Sequence, residues 1–129
     1  MTQETINQNK TQLFHALPLR DVVIFPQMTT TILVGRDKSI KSVEEAKKLG
    51  LPIFAITQTN PDTDEFGEKN LYKTGVLCSV IEAIKTTDGT LKVIIQGLIR
   101  AKLKTILPHD KFFTCEIDIA LEQKVTSEN

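Results

Sequence analysis

Two stretches near the carboxy-terminal end alternate apolar and charged side chains with a period of two, and this constrains the fold more than any other feature of the chain. In the first, Ile99, Ala101, Leu103, Thr105 and Leu107 alternate with Arg100, Lys102 and Lys104. In the second, Phe113, Cys115, Ile117, Ile119 and Leu121 are set against Thr114, Glu116 and Asp118. Successive side chains of a strand point to opposite faces, so each stretch is expected to be a strand with one row inward and the other toward water. Pro108-His109-Asp110-Lys111 joins them.

The same period organises much of the remaining chain. Thr87-Asp88-Gly89-Thr90 lies between two β-branched runs, and Asp-Gly supplies the positive φ angles of a tight hairpin, so residues 75 to 86 and 91 to 97 should pair antiparallel. Gly97 interrupts a continuous extended run, as glycine does where a strand bends at a barrel corner. One segment departs from the β pattern. Asp37 is placed to cap a first turn, Ile40, Val43, Ala46 and Leu49 recur at spacing three, and Gly50 followed by Pro52 stops the run, which predicts one helix over about 38–49.

Strands are expected at about 14–19, 22–25, 28–35, 52–58, 75–86, 91–97, 98–107 and 112–121. With the single helix they describe a mainly β domain, a small and partly open barrel of about six to eight strands with one covering helix. A length of 129 residues fits one such domain, at residues 13–122. Residues 1–12 are rich in Thr, Gln and Asn, with too little apolar surface to offset ordering, and are expected to be a flexible tail. The polar run 123–129 has the same character. Gln58 to Leu71 carries Pro61, Gly67 and Asp62-Thr63-Asp64-Glu65, which predicts a long exposed loop.

Composition narrows the functional classes. Sixteen basic and sixteen acidic side chains cancel, leaving no global field for nucleic acid or anionic lipid. Two cysteines, Cys78 and Cys115, lie inside apolar strand patterns, which points to core packing in a reduced compartment. No apolar run approaches the roughly 18 residues of a membrane span, and the expectation is a cytoplasmic protein.

The motifs that would carry catalysis are missing from the sequence. No segment matches the phosphate-binding loop, and Gly35-Arg36-Asp37-Lys38-Ser39 is expected to be a helix cap, because Asp37 would repel an anion. The two histidines, His15 and His109, lie at expected strand or loop edges, and His109 has the setting of a solvated turn residue. Asp62, Asp64, Glu65 and Glu68 lack the ligand spacing of a calcium loop. No catalytic, cofactor-binding or metal-binding residues are therefore assigned. Arg20, flanked by core residues, is expected to bind backbone carbonyls or a carboxylate. The cationic row Arg100, Lys102 and Lys104 has no aromatic alternating with it, which argues against an RNA-binding face.

Several segments together resemble one family. Leu17-Pro18-Leu19-Arg20-Asp21-Val22-Val23-Ile24-Phe25-Pro26-Gln27-Met28 is followed by Val34-Gly35-Arg36-Asp37-Lys38-Ser39-Ile40 and then by Ile53-Phe54-Ala55-Ile56. Beyond the acidic loop come Gly75-Val76-Leu77-Cys78-Ser79-Val80-Ile81-Glu82 and Asp88-Gly89-Thr90-Leu91-Lys92-Val93-Ile94-Ile95-Gln96-Gly97-Leu98-Ile99-Arg100-Ala101. In order and spacing, from about Leu17 to about Leu121, they resemble the amino-terminal domain of the ATP-dependent Lon protease family.

The resemblance implies a PUA-like pseudobarrel and a non-catalytic role: recognising unfolded or degron-bearing proteins and contributing to assembly of a homohexameric protease. The family's catalytic serine and lysine, and its use of ATP and magnesium, belong to parts outside a stretch of this kind, so the chain has the look of a fragment that ends where a linker begins. A free-standing adaptor built on the same domain is the alternative. Apolar residues where the strand pattern lapses are the candidates for protein-substrate binding: Pro26, Met28, Phe66, Leu71 and Tyr72.

Overall fold

The alternation around Arg100 extends further than the sequence suggested, because one 17-residue strand, Leu91–Leu107, spans both stretches expected at 91–97 and 98–107. The structure is a computed structural model and describes residues 11–20, 22–62, 67–107 and 109–119. Among the described residues the strands are β1 (Thr11–Leu19), β2 (Thr29–Val34), β3 (Ile53–Thr57), β4 (Thr74–Lys85), β5 (Leu91–Leu107) and β6 (Thr114–Asp118), with helix α1 (Asp37–Leu49) between β2 and β3. Thr11 and Gln12, the end of the expected 1–12 tail, are instead the start of β1, held in the ladder opposite Asp118 and Ile117 of β6; the rest of the expected tails, and the end of the 112–121 strand at Leu121, lie outside the described residues.

The sheet order is β2-β5-β4-β3-β1-β6, and β6 also pairs with β5. Five strands thereby close on themselves, and β2 hangs on the outer half of β5. This is the expected mainly β pseudobarrel with one helix. Among the described residues only β1 and β3 pair in parallel, which requires a crossover connection, and β2 with α1 supplies it. The amino-terminal half of β5 lies between β2 and β4, whereas its carboxy-terminal half meets the start of β4 and all of β6.

Gly97 marks the change of partners. Cys78 pairs with Gly97 and Leu77 with Ile99, so Leu98 is bulged out of the ladder. The close approach of a second backbone also demands glycine here: a Cβ at Gly97 would lie 2.3 Å from the Phe25 carbonyl oxygen. The Gln27 amide donates to the Gly97 carbonyl and the Gly97 amide to the Met28 carbonyl, both at 2.8 Å. The segment expected as a strand at 22–25 is accordingly not one. It crosses β5 with Ile24 buried and Val23 and Phe25 exposed, keeping strand-like alternation without a ladder partner.

Two local expectations change in detail. The helix begins at Asp37, and Arg36 is the N-cap, with no side-chain cap; Asp37 instead places its charge in the first turn, where the helix dipole favours it. The buried stripe is Ser39, Ser42, Val43 and Ala46, and Leu49 is exposed. A row at spacing three drifts around a helix of 3.6 residues per turn, so Leu49 ends about half a turn away from Ile40. Gly50 stops the helix in the left-handed region, at φ 71°. The β4–β5 turn is a three-residue loop in which Thr86 N–H bonds Thr90 O at 3.0 Å, and of the Asp88-Gly89 pair expected to supply positive φ angles only Gly89 has one. Asp88 serves through its carboxylate, which accepts from the Thr86 hydroxyl and from the amide and hydroxyl of Thr90. Those bonds, led by Thr86, hold its pKa down to about 2.

Two apolar clusters share β3. Ile53 and Ala55 join Leu17, Val43, Val93 and Ile95 under the helix, while Phe54 and Ile56 join Ala16, Ala101, Cys115 and Ile117 inside the barrel.

Ile117 is fully buried, and Asp118 beside it is exposed. Ile117→Ala should therefore cost about 2–5 kcal/mol and Asp118→Ala about 0.5 kcal/mol or less in urea unfolding, and equal effects would refute the register. At the strand crossing, Gly97→Ala should cost about 1–3 kcal/mol by overpacking, against about 0.5 kcal/mol or less for Gly35→Ala. The added carbon at Gly35 would meet only Thr90 Cγ2, at 3.7 Å.

Candidate functional site

The groups that carry covalent or acid–base chemistry are placed as structural parts. Cys78 and Cys115 are fully buried, and burial pushes both thiols up to about 12, far from the thiolate a nucleophile needs. His109 caps its own turn, its Nδ1 accepting from the amides of Lys111 at 3.0 Å and Phe112 at 3.3 Å. Phe112 lies between the rings of His15 and His109, with centroids 4.7 and 4.9 Å away. No group of three or more His, Cys, Asp or Glu among the described residues is arranged to share a metal ion. Arg20 donates to the Pro61 carbonyl at 2.7 Å, the role its sequence setting suggested. Asp21 and the loop residues Thr63, Asp64, Glu65 and Phe66 lie outside the described residues.

The apolar candidates are only partly brought together. Tyr72 is exposed, and Pro26 and Met28 are half-buried. Leu71 is a correction: it is 4% exposed and packs in the barrel core, because it bridges to Gln58 and turns its side chain inward. Phe66, the remaining candidate, is among those outside the described residues. Sequence reasoning misses Val23 and singles out Phe25 only as the start of the Phe25-Pro26-Gln27-Met28 run where the strand pattern lapses; both are about half exposed. Their signal was present as alternation with Val22 and Ile24, but an expected strand at 22–25 disguised it.

Thr57, at the end of β3, ties the two segments to one rim. Its hydroxyl donates to the Val22 carbonyl at 2.7 Å, and its carbonyl accepts the Tyr72 amide at 3.0 Å. Val23, Phe25 and Arg100 then line a small cleft with Thr57, Thr74 and Gly75. The Arg100 guanidinium sits 5.8 Å from the centroid of the Phe25 ring, a cation–π contact that covers one face of the aromatic. The fold thus brings an aromatic to the cationic row that has none in its own strand. Part of the charge on that row is offset, since Asp118 of β6 stands directly opposite Lys102.

A second apolar concavity, of about 380 Å³, was not anticipated. Leu13, Phe14, His15, Leu51, Pro52 and Leu107 line it. Its most exposed apolar member is Leu13, on the outward face of β1.

His15 borders this concavity, and burial lowers its pKa below the ordinary 6.5; the Glu45 carboxylate opposes the shift and His109 adds to it. A histidine that binds its proton less readily when folded contributes stability that is complete above the unfolded pKa and declines as pH falls through that value toward the lowered one. The urea midpoint should therefore drop between about pH 7 and pH 5, and His15→Gln should flatten that part of the profile. An unchanged slope in the variant would remove His15 as the cause.

The comparisons with known proteins agree with this architecture. Residues 14–129 match the family model described as the ATP-dependent protease La (LON) substrate-binding domain. Lon protease 2 of Desulfotalea psychrophila is 36% identical over 112 residues, covering 87% of this chain and 14% of that protein. Lon protease of Buchnera aphidicola subsp. Baizongia pistaciae is 40% identical over 110 residues, covering 85% of this chain and 14% of that protein. The chain thus spans about one seventh of the length of these relatives. Among solved structures, the N-terminal domain of a Mycobacterium avium complex Lon protease superposes with a TM-score of 0.64 at 14% identity, covering 82% of this chain and 53% of that one. A Lon N-terminal domain protein from Xanthomonas campestris gives 0.62 at 15% identity, covering 82% of this chain and 58% of that one.

Fold and surface together define a Lon-type amino-terminal domain, a six-stranded pseudobarrel with one helix. The chain belongs to the Lon protease substrate-binding domain family.

Proposed function

We propose that this chain is the non-catalytic substrate-binding domain of an ATP-dependent Lon-type serine protease, holding unfolded or degron-bearing polypeptides by their apolar segments. The reading rests on the family match over residues 14–129, and the exposed rim of Val23, Phe25 and Tyr72 supplies a surface suited to it. Magnesium-ATP, hydrolysis and most contacts of a homohexamer then fall to other parts of the protease, which works in the cytoplasm. No helix among the described residues is long and apolar enough to cross a membrane, and both buried cysteines suit a reduced compartment.

Covering one exposed aromatic side chain is worth about 1.5–3 kcal/mol, and association costs at least about 4 kcal/mol in lost freedom. A surface of this size therefore binds weakly and depends on several contacts at once, which suits a domain that must accept many sequences and release them.

Titration of isotope-labelled domain with unfolded casein should shift the resonances of Val23, Phe25 and Tyr72, and the shifts should persist in moderate salt, which screens charges but not apolar contacts. Phe25→Ala combined with Tyr72→Ala should weaken binding by about tenfold or more. Absence of any binding would overturn the reading. So would shifts confined to Arg100, Lys102 and Lys104 that appear with an RNA oligonucleotide and vanish as salt rises.

A further inference from the structure

β2 leaves one edge of the sheet open. Among the described residues it pairs only with β5. The Gly97 amide bonded to the Met28 carbonyl sets the phase of that ladder, so Thr30, Ile32 and Val34 direct their amides and carbonyls at β5. Thr29, Thr31 and Leu33 direct theirs outward. Exposed edges are ordinarily blunted by lysine, proline or a bulge, because they template pairing with another chain. Thr29-Thr30-Thr31-Ile32-Leu33-Val34 carries no charge and no proline, and Leu33 is 71% exposed. It has the composition of a strand built to be paired.

A groove of about 370 Å³ runs beside this edge, with Thr31 to Val34 on one wall and Pro18 to Arg20 and Val22 on the other. Its head is closed by Gly35, Arg36 and Ser39 at the start of α1. The Ser39 side chain is 2% exposed, and its hydroxyl has no hydrogen-bond partner. Arg20 and Arg36 bring two guanidinium charges to the same groove, oriented by the Pro61 carbonyl and the Gln58 side chain. Asp37, the acidic residue of the first turn, does not line it. The N-terminal end of the helix, without a side-chain cap, adds to the positive potential.

We infer that the open edge of β2 is a strand-addition site: it takes an extended segment of an unfolded polypeptide, with an acidic side chain of that segment held at the groove head by Ser39, Arg20 and Arg36. The inference rests on the substrate-binding reading and specifies how a substrate is held. Main-chain pairing is indifferent to sequence, so it grips any extended segment, and the carboxylate supplies selectivity and register. The groove is separate from the rim of Val23, Phe25 and Tyr72, so a long substrate can engage both.

The test uses a short threonine-rich peptide with one central glutamate, blocked at both ends so that its only carboxylate is the side chain, together with amide hydrogen exchange on the intact domain. On saturation the outward amides of Thr31 and Leu33 should gain protection of about tenfold or more, as for a formed main-chain bond, while those of Thr30 and Ile32, already paired, should not change. Replacing the peptide's glutamate by glutamine, or Ser39→Ala in the protein, should weaken binding by about tenfold, the scale of one bond to a charged group. Thr31→Pro removes one outward amide without touching the β5 ladder and should weaken binding similarly. If that variant fails to fold, exchange on the unaltered chain decides. Unchanged exchange at Thr31 and Leu33 while casein still shifts Phe25 and Tyr72 would overturn strand addition and leave the substrate-binding reading standing. Equal affinity for the glutamine peptide would overturn the carboxylate's role, and no binding by peptide or casein would overturn both.

Discussion

β3 is apolar on both faces, and the rest of the domain is arranged around that demand. Ile53, Phe54, Ala55 and Ile56 are all buried, so neither face of the strand can be left to water. One face is covered by α1 and the sheet of β2 and β5, the other by the closed barrel. The Phe54 ring fits only because Gly75 of β4 has no side chain: a Cβ there would lie 2.6 Å from the ring and 2.5 Å from the Ala55 carbonyl oxygen. A dense interior of this kind leaves little scope for chemistry inside it, and the surfaces available for recognition lie at strand ends, edges and crossings.

Those surfaces differ in kind. The rim of Val23, Phe25 and Tyr72 offers aromatic area with Arg100 stacked at its border, and the groove beside β2 offers unpaired main chain with positive charge at its head. A domain that handles many sequences has use for both, since apolar area rewards composition and main-chain edges reward extension. Neither depends on a single deep pocket, in keeping with a binder that releases what it holds.

Much of the fold was legible in the sequence because a period of two survives wherever one face is buried. The rows of β5 and β6 follow the alternation around Arg100 and Ile117, and the helix stop at Gly50 follows from glycine's freedom at positive φ. What escaped was set by partners distant in sequence. Nothing local says that Phe25 crosses β5 at Gly97, so 22–25 had the pattern of a strand although no ladder receives it. Leu71 had the polar surroundings of an exposed loop, yet its bridge to Gln58 turns it into the core. The helix illustrates a subtler limit: a row at spacing three includes Leu49, while true helical geometry carries that residue to the far side. For the candidate site, the sequence located the region near Pro26 and the exposed Tyr72, but not Val23, and it counted the buried Leu71 among its members.

The barrel closes through β1 and β6, with Thr11 opposite Asp118, two residues from nearly opposite ends of the chain. Pairs so remote in sequence are costly to bring together early, so their closure belongs to the late part of folding. While the chain emerges from a ribosome, β1 can find its parallel neighbour β3, but its other edge stays open until residues 114–118 appear. The far half of β5 waits for the same five residues. A nascent chain stopped short of them exposes two unpaired strand edges around an unfilled barrel, and is itself the kind of half-formed polypeptide that quality control exists to remove.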